Sequence, residues 1–220
     1  MSTSPASARG RAPGRGRVAY EPQQERSQLS TQRLLDATAE LIAERGYTDT
    51  TLVAIGQRAG FSRGLVNARF GSKEALVWTF VERASEPWSP EVFGEIDDRS
   101  GLDRVLAATE AVAANAVEEP TVLRAFIRLI IDSAQSIPSL SQRFQRSFAA
   151  LQRHLTAFFR QGVEDGSIRP DIDPQAEADL LLAAWRGISI QWVVYPDRTD
   201  LRKLYDTLLD KLRRDLVPPA

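Results

Sequence analysis

Residues 46–76, GYTDTTLVAIGQRAGFSRGLVNARFGSKEAL, constrain the fold more than any other stretch. Thr50 or Thr51 can cap a short helix in which Val53, Ile55 and Ala59 face inward. Gly60 then supplies a sharp turn, and Ser62 caps a second short helix that runs to about Arg69, with Phe70 plugging the small core beneath. Gly71 and Ser72 restart the chain, with Ser72 as an N-cap, Lys73 directly after it and Glu74 near the positive end of a fourth helix that reaches about Ala84. Upstream, Leu34, Thr38, Leu41 and Ile42 recur at i, i+4, i+7 and i+8, which predicts a helix from Ser30 that stops at Gly46. A short helix, a glycine turn and a second helix that begins with polar residues form the layout of a helix-turn-helix DNA reader, whose second helix enters the major groove.

The remainder predicts helix after helix, at about 101–117, 121–135, 139–165, 174–195 and 200–215, punctuated by Pro120, Pro138, Pro170, Pro174 and Pro196. No strand-like alternation of useful length and no repeat interrupts them, so the fold class is all-α: an N-terminal three-helix reader and a C-terminal helical bundle. The last helix carries one stripe, from Leu201 and Leu204 through Leu208 and Leu212 to Leu216. The segment before it differs, because Leu180 to Trp185 are apolar on every side. A helix apolar all round is covered all round. One face can meet its own core and the other a second subunit, with Gly187 permitting close backbone approach; a central core helix in a monomer is the alternative.

Composition narrows the chemistry. Cysteine is absent, which removes disulfides, thiol nucleophiles and cysteine zinc sites. His154 is the one histidine, and Leu151 stands three residues before it, so the Glu-x-x-His pairs of a di-metal bundle are missing. Phosphate loops and nucleophile elbows are missing too, and adjacent acids such as Glu118-Glu119 point in different directions on a helix. No enzyme, metal or cofactor is expected. No run of apolar residues is long enough to span a membrane and no signal peptide is visible, so a cytoplasmic protein is expected. Residues 1–74 hold 11 basic and 7 acidic residues, a net of +4, while the rest holds 17 and 22, a net of −5. That asymmetry suits one end meeting a polyanion. Residues 1–27 form an Arg/Gly-rich arm expected to be disordered when free; Arg9, Arg11, Arg15 and Arg17 could lie in a minor groove, or the arm could be a solubilising leader.

The run I-G-x-x-A-G-F-S-x-G-x-x-N-x-x-F-G-S-K-E-A-L from Ile55 to Leu76, with AELIAERG before it at Ala39 to Gly46, resembles the N-terminal domain of the TetR family of bacterial transcriptional regulators. The close resemblance covers about residues 28–88, with the helix-turn-helix at about 51–70; residues 89–220 resemble the family's ligand-binding and dimerisation body in architecture. Asn67 and Arg69 stand where many members carry Tyr and His, and Phe61 and Gly56 replace a common Val and Ala, so the operator sequence is not carried over. The mid-helix Gly56 is expected to cost up to about 1 kcal/mol relative to Ala.

The chemistry of the reader can still be argued. Ser62, Arg63 and Gly64 lie at a helix start that favours phosphate, and Arg63 could instead reach a guanine edge. Asn67 can read adenine or bind phosphate, Arg69 and Lys73 look like phosphate clamps, and Thr50 and Thr51 can donate to the DNA backbone. The resemblance implies a homodimer on double-stranded operator DNA, with an interface expected at Leu181, Trp185, Ile188, Trp192, Leu204, Leu208 and Leu212. It also implies a pocket. Phe126, Ile130, Phe144, Phe148, Leu151, Phe158 and Trp185 are its candidate walls, and Gln191, His154 or Gln145 a polar contact for an apolar or aromatic effector. Helix four is the expected lever between the two parts, and Trp88 and Phe93 could cover the pocket mouth or simply pack. The expected function is a repressor released by its effector. A ligand-independent or architectural DNA-binding protein, or an activator, remains the alternative.

Overall fold

The computed structural model describes residues 23–86 and 99–219. The arm, Trp88, Phe93 and the boundary expected near residue 88 lie outside them. Among the described residues there are nine helices: α1 Gln23–Asp49, α2 Leu52–Ala59, α3 Arg63–Phe70, α4 Lys73–Ser85, α5 Gly101–Glu118, α6 Pro120–Ser136, α7 Pro138–Asp165, α8 Pro174–Val194 and α9 Leu201–Leu216. None is long and apolar enough to cross a membrane.

Local chemistry sets most of these ends. Thr51, Ser62 and Ser72 each accept a backbone N–H three residues on, at 3.2, 3.3 and 3.0 Å, and so start α2, α3 and α4. Gly60 and Gly71 close the intervening turns at φ +79° and +73°. Asp173 and Asp200 cap α8 and α9 by accepting the Gln175 and Lys203 N–H groups, and prolines open α6, α7 and α8. The start of α1 differs from expectation. It begins seven residues before Ser30, where polar residues carry no apolar stripe for periodicity to register. Gly46 breaks α1 as expected: its φ of 83° ends the regular helix, and one further turn follows to Asp49.

Two buried clusters share the molecule. One joins Leu34, Leu41 and Ile42 of α1 to Ile55, Val66, Leu76, Val77 and Phe80 of α2–α4, and takes in Ala125 and Leu129 of α6 and Leu140 and Phe144 of α7. Phe70 and Ala59 pack against its edge and Ile55 is fully buried in it, but Val53, expected to face inward with them, points outward at 38% exposure. The other cluster gathers Val105, Leu155, Phe159, Leu182, Trp185, Tyr205 and Leu212. α6 lies between the reader and the body, and its contact with α1 is the most extensive between any two helices described.

Two glycines permit close approaches. A Cβ on Gly101 would lie 2.1 Å from the backbone nitrogen of Gly162, so α5 crosses α7 main chain against main chain. A Cβ on Gly56 would lie 2.9 Å from the carbonyl oxygen of Phe61, which gives this mid-helix glycine a packing reason that helix propensity alone misses.

Candidate nucleic-acid interface and effector cavity

The reader exposes a compact polar surface. Ser62, Arg63, Gly64 and Asn67 are exposed along α3, while Val66 on the opposite side is fully buried. Ser62 accepts the Leu65 N–H as a cap, which leaves its own hydroxyl proton free to donate. Thr51 is exposed at the start of α2. Leu65, beside Arg63, is 39% exposed and adds an apolar contact that a search for polar residues passes over.

Three expected contact residues are placed differently. Thr50 is fully buried and donates its hydroxyl to the Gly46 carbonyl at 2.7 Å, so it closes the α1–α2 turn rather than facing outward. Arg69 turns back to α1, where it donates to the Ser27 carbonyl, Ser30 Oγ and Thr31 Oγ1 at 2.7, 2.6 and 2.7 Å. Its guanidinium braces the end of α3 against the first turns of α1. Lys73 donates to the Tyr47 carbonyl at 3.0 Å and lies 4.0 Å from the centre of the Tyr47 ring. Burial lowers its pKa against the opposing pull of Asp49. At the reader's edge, Arg58 bridges Glu40 and Glu44 at 2.8 and 2.9 Å and ties α2 to α1.

α6 grips this reader from the other side. Asp132 accepts the Tyr47 N–H at 3.0 Å, and Arg128 donates to the Ala43 and Glu44 carbonyls at 3.3 and 3.4 Å. Both side chains pack over Gly46, where an added Cβ would meet Arg128 Nε at 2.9 Å. These groups satisfy the end of α1 where the chain bends. Sequence reasoning missed the clasp, since its halves are 85 residues apart.

The same helix walls a partly open cavity of about 70 Å³. Phe126, Ile130, Phe148, Leu151 and Trp185 line it, as the sequence suggests. Phe144 and Phe158 do not. Phe144 packs edge-on to Trp78 and Phe126 in the reader cluster, and Phe158 lies in the body cluster. Further walls come from Ala84 of α4, Val112, Asn115 and Ala116 of α5, Val122, Leu123 and Ile127 of α6, Leu182, Arg186 and Ser189 of α8, and Tyr205 of α9. Gln145, His154 and Gln191 are absent from the lining, and His154 Nδ1 instead contacts the Ala150 carbonyl at 2.9 Å. Ser189 Oγ donates to the Trp185 carbonyl at 2.9 Å and sits 3.4 Å from the Tyr205 hydroxyl. Burial raises the Tyr205 pKa, and the Ser189 contact opposes that shift in part.

The expected subunit-contact residues also divide. Leu181, Trp185 and Leu212 are buried in the chain's own core, with Ile188, Trp192 and Leu208 packed against it. Leu204 is half-buried. The outward face of α8 is the row Leu180, Ala183, Gly187, Ile190 and Val194, and Leu180 and Val194 are 64% and 56% exposed. Nothing lies within 4 Å of a Cβ built on Gly187.

A capped helix-turn-helix braced on an all-helical body with an internal cavity defines a DNA-binding regulator. Residues 34–78 match the bacterial regulatory proteins of the tetR family, and residues 101–216 match the C-terminal region of BetI-type transcriptional repressors. The chain belongs to the TetR family of transcriptional regulators. It is 30% identical over 175 residues to the transcriptional repressor KstR2 of Rhodococcus jostii, covering 72% of this chain and 77% of that one. The structure of SmeT with triclosan superposes with a TM-score of 0.73 at 26% identity, over 87% of this chain and 93% of that one. A regulator from Saccharomonospora viridis in complex with choline shares the fold at a TM-score of 0.72 and 18% identity, over 87% of this chain and all of that one.

Proposed function

We propose that this protein is a homodimeric repressor, released from a palindromic operator when a small apolar or aromatic effector enters the cavity. The observation that carries the reading is the double role of α6. Phe126, Ile127 and Ile130 face the cavity, while Arg128 and Asp132 hold α1 at the foot of the reader. An effector that seats better against one position of α6 shifts the population of reader orientations. A preference of about 1–3 kcal/mol changes operator affinity by roughly 5- to 150-fold. α4 contributes through Ala84, so the lever expected from sequence acts beside the α1–α6 clasp. The aromatic ligand of SmeT supports an effector of this kind.

The outward row on α8 supports a second copy of the chain, with Gly187 allowing close backbone contact across the pair. Two readers then address half-sites about 34–36 Å apart, or a multiple of that distance, on one face of the duplex. Arg63, Asn67 and Ser62 make the contacts to DNA, with Thr51 and Gly64 at the backbone. No reaction is assigned to the chain.

Selecting bound duplexes from genomic fragments tests the reading. The expected outcome is an inverted repeat bound by two chains. Leu180→Glu with Val194→Glu is expected to yield folded monomers that bind the repeat far more weakly. Dimers that persist in sedimentation refute the assigned face, and recovery of sequences without symmetry refutes the dimeric operator.

A further inference from the structure

The cavity is mostly apolar; its polar groups are Asn115 on α5, Arg186 and Ser189 on α8, and the Tyr205 hydroxyl on α9. Arg186 lines it, half-buried, with its guanidinium carbon 4.3 Å from the centre of the Phe148 ring. Burial lowers its pKa, and no hydrogen bond or ion pair engages it among the described residues. None of the lining residues is Asp or Glu. The neighbouring Trp185 is 4% exposed and lines the same cavity, and its buried indole N–H has no acceptor.

Both groups are donors only. A partly desolvated cation without a counter-charge, and a buried N–H without an acceptor, each raise the free energy of the empty site. A ligand that brings anionic oxygen to Arg186 supplies the missing counter-charge. A cationic ligand meets the opposite situation. It faces a like charge, and the face of Phe148 that would attract it already holds the guanidinium. Phe126, Ile130 and Leu151 offer an apolar surface to a hydrocarbon body.

We propose that the effector is a carboxylate on an aliphatic or aromatic body, its head held by Arg186. This rests on the cavity being the effector site.

Calorimetric titration of the full chain with octanoate, 1-octanol and octyltrimethylammonium near neutral pH, where the carboxylate is ionised, tests both layers. Octanoate is expected to bind at least about tenfold more tightly than 1-octanol, and the ammonium most weakly. Arg186→Gln is expected to abolish the preference for octanoate over 1-octanol. If 1-octanol binds as well as octanoate, or the variant keeps the preference, the carboxylate assignment is overturned and the cavity remains an effector site. If none of the three binds the folded wild-type chain, both the assignment and the cavity reading are overturned.

Discussion

Replacing Asp132 by Ala tests whether the α1–α6 clasp transmits the effector signal. The Asp132 carboxylate accepts the Tyr47 N–H at 3.0 Å in a partly buried setting. A charge-assisted hydrogen bond of this kind contributes about 1.5–3 kcal/mol, and its removal leaves the N–H without its partner. In a chain of this length that predicts a fall in Tm of roughly 3–12 °C. Asp132 does not line the cavity, so the effector Kd should change by no more than about twofold. What should collapse is coupling, the ratio of operator affinities without and with saturating effector. Fluorescence anisotropy with the selected operator, using octanoate as the first probe, measures that ratio directly. In the variant it should fall toward one. A variant whose Tm drops while the ratio stays at the wild-type value would refute the argument, because Asp132 would then hold the fold without carrying the signal.

Further tests address other parts of the molecule. Arg63→Ala and Asn67→Ala should weaken operator binding by about 1–3 kcal/mol with little effect on Tm, whereas Arg69→Ala should lower Tm because its hydrogen bonds all lie on α1; equal melting of all three variants would contradict that division. Gly101→Ala should lower stability by about 1–3 kcal/mol in urea titrations, since the added methyl meets the Gly162 backbone; an unchanged midpoint would show that α5 can move away. Burial alone would raise the Asp165 pKa, but hydrogen bonds from Ser167 and the Gly101 N–H, with Arg104 nearby, hold it below the ordinary carboxylate value. The stability this supplies is complete at neutral pH and is lost as pH falls through the lowered value, so Asp165→Asn should flatten the acid limb of a Tm–pH profile.

The reader was largely legible in the sequence because its signals are local. Thr51, Ser62 and Ser72 announce helix starts, and Gly46, Gly60 and Gly71 announce the bends. Two kinds of information were not local. A helix apolar on every side has no marked phase, so periodicity could not choose between the Leu181 row, which is inside, and the Leu180 row, which is outside. Aromatic residues suggest walls but not which space they border, so Phe144 and Phe158 were indistinguishable from Phe126 and Phe148. The cavity also depends on small residues, Ala84 and Ala116, which carry no signature in the sequence. Arg186 reads as a solvated charge until the fold places it beside Phe148. Thr50 and Arg69 have the right chemistry for DNA, but hydrogen bonds inside the reader claim them first.

The left-handed bend at Gly46 bears on domain grafting. Its backbone is satisfied by side chains from the far half of the chain. A chimera that transplants only the first 88 residues onto a foreign body would leave Tyr47 and the end of α1 without their mates. If the clasp carries the signal as proposed, an interchangeable head for synthetic gene circuits has to travel with the matching surface at positions 128 and 132.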